Sequence, residues 1–266
     1  MFFKNKLFIF LVLLLIVIGG ISWSLTLGDS LGNSARKIAV DDSSFTNIEI
    51  VAGNAAVDIV PTKDSARTVE YMGETRKNSK YVFKAYVKGD TLSILFKEKR
   101  RSFINFGFST SDLKLFVKIP QKEYNKILAK TDNGRIKVEN IQAQDIALET
   151  DNGSIDMKNV KTSITDVKTD NGKILLTSVE GKITGKTDNG RISLVTNNLD
   201  RQIELTTDNG RIEIRTEKEP TNATIDIKMD NGKVDVFGYE NKHTTFGKGE
   251  HLIKLRTDNG RVTITK

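Results

Sequence analysis

The sequence predicts an all-β fold: a parallel β-solenoid of short stacked strands, preceded by one transmembrane α-helix. Three observations lead there. First, one tripeptide recurs seven times, at Asp132-Asn133-Gly134, Asp151-Asn152-Gly153, Asp170-Asn171-Gly172, Asp188-Asn189-Gly190, Asp208-Asn209-Gly210, Asp230-Asn231-Gly232 and Asp258-Asn259-Gly260. Its glycines are separated by 19, 19, 18, 20, 22 and 28 residues. Self-similarity at a near-fixed spacing marks a repeat architecture in which one short unit stacks on the next. Second, apolar and polar residues alternate with period two on both sides of each tripeptide, in short β-branched runs. Third, residues 7–21 form an unbroken apolar run.

Composition sets the outer limits. The 266 residues are 38% hydrophobic and 28% charged, which suits a thin, extended core better than a compact globule. The formal net charge of +7 favours an anion-rich neighbour. The basic residues are spread through every repeat, so they read as a solvated face, and no nucleic-acid partner is expected. The absence of cysteine excludes disulfides, thiolate chemistry, cysteine-ligated zinc and a lipidated N-terminal cysteine.

The N-terminus reads as an anchor. There is no charge from Leu7 to Leu27, and a run of roughly 20 residues spans the roughly 30 Å hydrocarbon layer. Lys4 and Lys6 precede it and the first basic residue beyond it is Arg36, so the positive-inside bias keeps the N-terminus cytoplasmic and places the bulk of the chain outside. Trp23 stands where an interfacial anchor would. A cleaved signal peptide is the alternative, with Ser22-Trp23-Ser24 as its one small-x-small site. The expected organisation is a cytoplasmic stub and anchor at 1–27, a small polar tether at 28–44, and a repeat domain at 45–266. Within that domain, 45–125 is irregular and 126–266 regular.

Beyond the tether, Ile48 and Ile50 and then Val57 and Ile59 alternate around a Gly53-Asn54 turn, with Pro61 expected to end the strand. Tyr81, Phe83, Ala85 and Val87 form an alternating strand that Lys88-Gly89-Asp90 turns into Leu92, Ile94 and Phe96, as a hairpin or a solenoid corner. Leu113, Leu115, Val117 and Ile119 follow, stopped by Pro120. From Ile127 the unit is regular, with an apolar pair before each tripeptide (Ile146 and Leu148, Ile203 and Leu205) and another after it (Ile136 and Val138, Ile174 and Leu176). Minor corners such as Glu139-Asn140 and Lys158-Asn159 link one repeat to the next. An antiparallel meander with Asn-Gly hairpins fits the same alternation. The near-constant spacing and the recurrence of the whole corner favour the solenoid, in which each copy lies directly above the last.

The N-terminal anchor, the GNAAVDIVP opening, the LKLFVKIP strand and the repeated TDNGxI strands together resemble the LiaG-like putative adhesin family of Gram-positive cell envelopes. The resemblance covers essentially the whole chain. It implies a right-handed β-solenoid in an extracytoplasmic location, with an adhesion or envelope-stress role. The family has no agreed functional residues, and none are carried over.

The Asp-Asn-Gly corner reads as structural. Glycine and asparagine accept positive φ, the Asp side chain can bond nearby backbone N–H groups, and stacked Asn side chains can ladder amide to amide. A column of aspartates about 4.8 Å apart repels by roughly 0.9 kcal/mol per neighbour in water. The basic residues after the glycines (Arg135, Lys173, Arg191, Arg211, Lys233 and Arg261, with Ser154 the one gap) are expected to offset it. Calcium is the main rival, since the carboxylates are hard oxygen ligands, but no known calcium-loop spacing is present and a basic column beside them would repel a dication. Glycoside cleavage is the second rival, but identical, evenly spaced aspartates do not separate an acid from a base. His243 and His251, the chain's two histidines, read as solvated loop residues. No catalytic residue, cofactor or metal site is therefore assigned, and the chain is expected not to be an enzyme.

The irregular feature is the insertion at 97–111. There Lys99, Arg100 and Arg101 run into Phe103, Phe106 and Phe108. Basic residues beside aromatics suit an anionic bilayer surface or polymer phosphates, while the bland reading is a hydrophobic cap on the stack. The expected function is a non-enzymatic, membrane-anchored surface protein that acts as an adhesin or envelope scaffold, with cell-wall polymer or an envelope membrane protein as partner. The alternative is an accessory component of envelope-stress sensing.

Overall fold

The computed structural model describes residues 33–63, 67–74, 80–99 and 113–266. The anchor at 1–27 and Arg100, Arg101, Phe103, Phe106 and Phe108 of the insertion lie outside them. Among the described residues there are seventeen strands and no helix, so none is long and apolar enough to cross a membrane.

A solenoid rung consists of one strand before the corner and one after it. The central rungs are β8 (Glu123–Thr131) with β9 (Ile136–Glu139), then β10 (Gln142–Thr150) with the start of β11 (Ile155–Thr169), then the end of β11 with β12 (Ile174–Val179). Beyond these, β13 (Lys182–Thr196) and β14 (Ile203–Thr216) each run through the corner unbroken, as do β15 (Ala223–Val236) and β17 (His251–Thr265). Neighbouring rungs pair in parallel, copy on copy: Ile136, Ile155, Ile174, Ile192 and Ile212 stand in one column. These five are completely buried, as are Ile127, Ile183, Ile203 and Ile253 on the other strand face. Period-two alternation puts every second side chain inside, and burial of each isoleucine stabilises the stack by roughly 1.5–3 kcal/mol. Parallel pairing rules out the meander.

The stacking order departs from chain order at both ends. β17 pairs with β14 on one side and β15 on the other, so the last rung in sequence is threaded between the two before it. Val262 to Lys266 therefore do not form an edge. The outermost rung is β15, covered over part of its length by the short antiparallel β16 (His243–Thr245) and by a Val236–Tyr239 bridge. The wide spacings of 22 and 28 residues are the physical trace of this arrangement, since the chain must skip a rung and then return across it. At the other end, β2 (Asn47–Ala52) and β3 (Ala56–Thr62) slot between the rung of β8 and β9 and that of β6 (Thr91–Lys99) and β7 (Lys114–Pro120).

Several expectations about the first hundred residues are corrected or resolved. Residues 33–39, inside the stretch read as a tether, form β1 (Asn33–Ala39), antiparallel to β4 (Thr68–Glu74). Its mostly exposed residues leave little apolar signature, although Val40 just beyond is buried. Pro61 does not end its strand. Val57 donates its N–H to Arg135 O on the β9 side, and residue 61 faces the same way, where pairing with β9 has already stopped at Ile59. The missing proline N–H therefore costs no ladder bond. β5 (Lys80–Lys88) and β6 form an antiparallel hairpin through Gly89, at φ 59°, and Asp90, which settles hairpin against corner. Tyr71, Tyr81, Phe83 and Phe96 pack ring against ring beneath it, with centroids 4.8–6.0 Å apart.

Candidate functional surface at the Asp-Asn-Gly corner

Glycine is required at the corner for a reason other than positive φ. Gly134, Gly153, Gly172, Gly190, Gly210 and Gly260 all lie outside the left-handed region; Gly232, in the outermost rung, is the exception at φ 142°. A Cβ on Gly172 would sit 1.7 Å from the carbonyl oxygen of Gly153, and the other six would meet the rung beneath at 1.6–2.0 Å. The backbones approach too closely for any side chain. Positive φ is instead found at the minor corners, at Asn140 (56°), Asn159 (53°) and Gly181 (80°).

That close approach lets the polar groups satisfy one another. Each Asn Nδ2 donates to the Asn Oδ1 one rung away: Asn152 to Asn133 at 2.8 Å, Asn171 to Asn152 at 2.9 Å, Asn189 to Asn171 at 3.0 Å and Asn209 to Asn189 at 3.1 Å. The ladder continues through Asn259 to Asn231, again in the threaded order. Its other end reaches Asn54 at 2.6 Å, which makes Gly53-Asn54-Ala55 an eighth, degenerate corner. The threonine before the tripeptide, to which the sequence assigned no role, is fully buried and at four corners donates to the glycine carbonyl of the adjacent rung, as Thr150 does to Gly134 at 3.1 Å and Thr169 to Gly153 at 3.0 Å. Thr257 Oγ1 has no partner, and Met229 replaces the threonine before Asp230. Asp backbones share in this, with Asp132 O accepting from both Asp151 N and Asn152 N.

The aspartate charges are offset differently from the expectation. Three of the seven pair with a cation two residues upstream: Lys168–Asp170 and Lys186–Asp188 at 3.3 Å, and Arg256–Asp258 at 3.2 Å. The column after the glycine pairs elsewhere where it pairs at all, with Arg135 on Asp58 at 3.2 Å and Arg191 on Glu213 at 3.6 Å. The reason is strand geometry. Residues i and i+2 project to one face of a strand, whereas the residue after the glycine lies beyond the corner, on the next side of the solenoid.

Lys99 ends β6 with its side chain exposed. His243 lies 3.7 Å from Asp226 across the β15–β16 pair, and His251 begins β17. Among the described residues no three carboxylates or imidazoles converge around a point that would hold an ion. A groove of about 620 Å³ opens at the minor corners, lined by Ser178 to Gly181, Val195 to Asn198, Arg201 and Arg215 to Glu217 among others. Arg201 is its organising residue. It donates to Val179 O at 2.6 Å, Gly181 O at 3.1 Å and Thr196 Oγ1 at 3.0 Å, clamping the longer return loop to the rung below. Burial pushes its pKa down, opposed by the charge of Glu180. No repeat pattern marks Arg201, because this corner has neither the positive-φ asparagine of Asn140 and Asn159 nor the positive-φ glycine of Gly181.

The comparisons with known proteins accord with a repeated unit. The uncharacterized protein YvlB of Bacillus subtilis (strain 168) is 26% identical over 111 residues, which is 40% of this chain and 29% of that relative's own length. A putative cell adhesion protein from Clostridium sporogenes ATCC 15579 is 10% identical with a TM-score of 0.40, over 88% of this chain and 98% of that one. A putative adhesin from Bacteroides fragilis NCTC 9343 is 10% identical with a TM-score of 0.43, over the same shares. The model of the Toastrack DUF4097 family matches twice, at residues 45–175 and 161–265. Those two matches take in the irregular rungs as well as the regular ones, and the chain belongs to the Toastrack DUF4097 family.

Proposed function

We propose that this is a non-enzymatic surface protein of the LiaG-like type, held to the cell membrane by its N-terminal helix and presenting a right-handed solenoid outside the cell as an adhesin or scaffold. The observation that carries this reading is how the repeated polar groups are used. The Asn amides bond one another, the Thr hydroxyls bond glycine carbonyls, and corner aspartates pair with cations on their own strands. A corner consumed in this way builds a rigid rod, and what remains for a partner is the pattern of side chains on its outer faces. The apolar run of residues 7–21 and the lysines before it support the anchor and its orientation.

Protease treatment of intact cells tests this reading, with a tag at each end of the chain. Loss of the C-terminal tag with retention of the N-terminal one is expected. Protection of both, or recovery of the intact chain in the soluble fraction, would overturn it. Crosslinking followed by membrane extraction then identifies the partner as polymer or protein.

A further inference from the structure

Asp170, Asp188 and Asp258 pair with upstream cations, and the downstream basic column makes no ion pair with the corner aspartates among the described residues. In stacking order that column reads Lys173, Arg191, Arg211, Arg261, Lys233, one cation on each of five consecutive rungs. Lys173, Arg211, Arg261 and Lys233 are exposed and have no ion-pair partner among the described residues, and Arg191 has the 3.6 Å contact to Glu213. The next outward position on the same face carries Leu175, Ser193, Glu213, Thr263 and Asp235, which supply two negative charges against five positive ones.

Nothing in the fold calls for such a row. Like charges at a rung spacing of about 4.8 Å repel, and among the described residues no corner aspartate forms an ion pair with a member of the row. The row is straight, because the strands are held in register by the Asn ladder and the glycine contacts. It is also rigid, so binding would order few additional backbone residues. Its three central members are arginines, whose planar forks engage phosphate oxygens bidentately, and four steps of about 4.8 Å give a reach of about 19 Å.

We propose that this row is a binding site for a linear polyanion bearing phosphate groups, laid along the solenoid axis with its phosphates spread over successive rungs. This deepens the surface-protein reading and rests on it for access to such a polymer, but the binding itself can be tested with the isolated full chain. Because each contact is weak and exposed, affinity must come from several rungs engaging one chain, so it must rise steeply with ligand length.

The test titrates the full chain with pyrophosphate and with linear polyphosphate fractions of increasing length, over a range of salt concentrations. Long fractions are expected to bind at least about a hundredfold more tightly than pyrophosphate, as multivalent engagement requires. The triple variant Arg191→Gln, Arg211→Gln, Arg261→Gln should lose about tenfold or more on long chains. The slope of log affinity against log salt should fall by about 2–3, close to one per neutralised contact. A control removing the same charge from scattered exposed positions on the strands before the corner, Lys126→Gln, Lys182→Gln, Lys254→Gln, should lose less than about threefold. Equal losses in the two triples would overturn the site in favour of net charge alone, and absence of length dependence would overturn the axial geometry. If the row triple fails to fold, Arg211→Gln alone must lower the slope by about 1, and an unchanged slope sinks the proposal. Failure of the cell-surface protease assay would leave these binding results untouched, so the two readings can be refuted separately.

Discussion

Replacing Gly172 by alanine is the sharpest perturbation of the corner. The new Cβ would lie 1.7 Å from Gly153 O and 3.0 Å from Thr169 Oγ1. A comfortable contact needs about 3.5 Å, so the rungs must part locally by nearly 2 Å, and the obstructing atom is backbone that cannot swing aside. Four hydrogen bonds cross that opening: Asp170 N and Asn171 N to Asp151 O (3.2 and 2.9 Å), the Asn171–Asn152 amide (2.9 Å), and Thr169 to Gly153 O (3.0 Å). At a net 0.5–1.5 kcal/mol each, their loss predicts a destabilisation of about 4 kcal/mol. Gly89 provides the contrast, because it has φ 59° and nothing within 4 Å of its absent Cβ. There alanine should cost about 1–2 kcal/mol, and asparagine, which tolerates the left-handed region, less. Urea midpoints at constant m-value give both quantities. A loss below about 1 kcal/mol in Gly172→Ala, or a milder effect for Gly172→Asn than for Gly172→Ala, would refute close approach as the reason for the glycine.

Three further outcomes follow from the same geometry. Asn171→Ala removes two ladder bonds and should cost about 1–3 kcal/mol, whereas Asn231→Ala at the ladder's end removes one and should cost about half as much in the same denaturation assay. Burial pushes Asp200 up, but hydrogen bonds from Thr221 and Asn222 outweigh it and hold the carboxyl below its ordinary value of 3.8. Its folded pKa is thus the lower one, so its contribution is present above about pH 4 and lost as pH falls through the folded value. Acid unfolding of Asp200→Asn should therefore be less steep below pH 4 than that of the parent, and identical curves would remove Asp200 from the account of acid stability. Finally, strand ends usually fray, but residues Ile253 to Ile264 of β17 are paired on both sides. Hydrogen exchange should find its amides as protected as those of β14, and rapid exchange there would contradict the threaded order.

Much of this architecture could be read before the structure, and the exceptions share a cause. The seven tripeptides and their flanking isoleucines announced both strands of every regular rung, since period-two burial and a fixed corner are local properties. The order of rungs is not local. Nothing in the residues around Asp258-Asn259-Gly260 says that they lie between two earlier copies, although the spacings of 22 and 28 carry the hint. Gly53-Asn54 escaped recognition as a copy of the corner because strands β3 to β8 separate Asn54 from its ladder partner Asn133 by 79 residues. The electrostatic reading failed through side-chain direction. Arg135 and its equivalents follow the aspartates closely in sequence but lie beyond the corner, while Lys168 and Lys186 share the strand face of Asp170 and Asp188. Arg201 was invisible because its partners are backbone carbonyls of residues about twenty positions earlier, which no motif encodes.

The central claim is a division of labour, in which the corner builds the rod and the downstream cationic row is free to act. The equilibrium stability of the Arg191→Gln, Arg211→Gln, Arg261→Gln variant, measured by urea unfolding without ligand at about 0.15 M salt, tests it most directly. Each neighbouring pair in the row repels by at most about 0.9 kcal/mol in water, roughly halved by screening at that salt. Neutralising the three arginines should therefore leave stability unchanged or raise it by up to about 2 kcal/mol. A loss of more than about 1 kcal/mol would show that the row is part of the corner's structure and is not free for a partner.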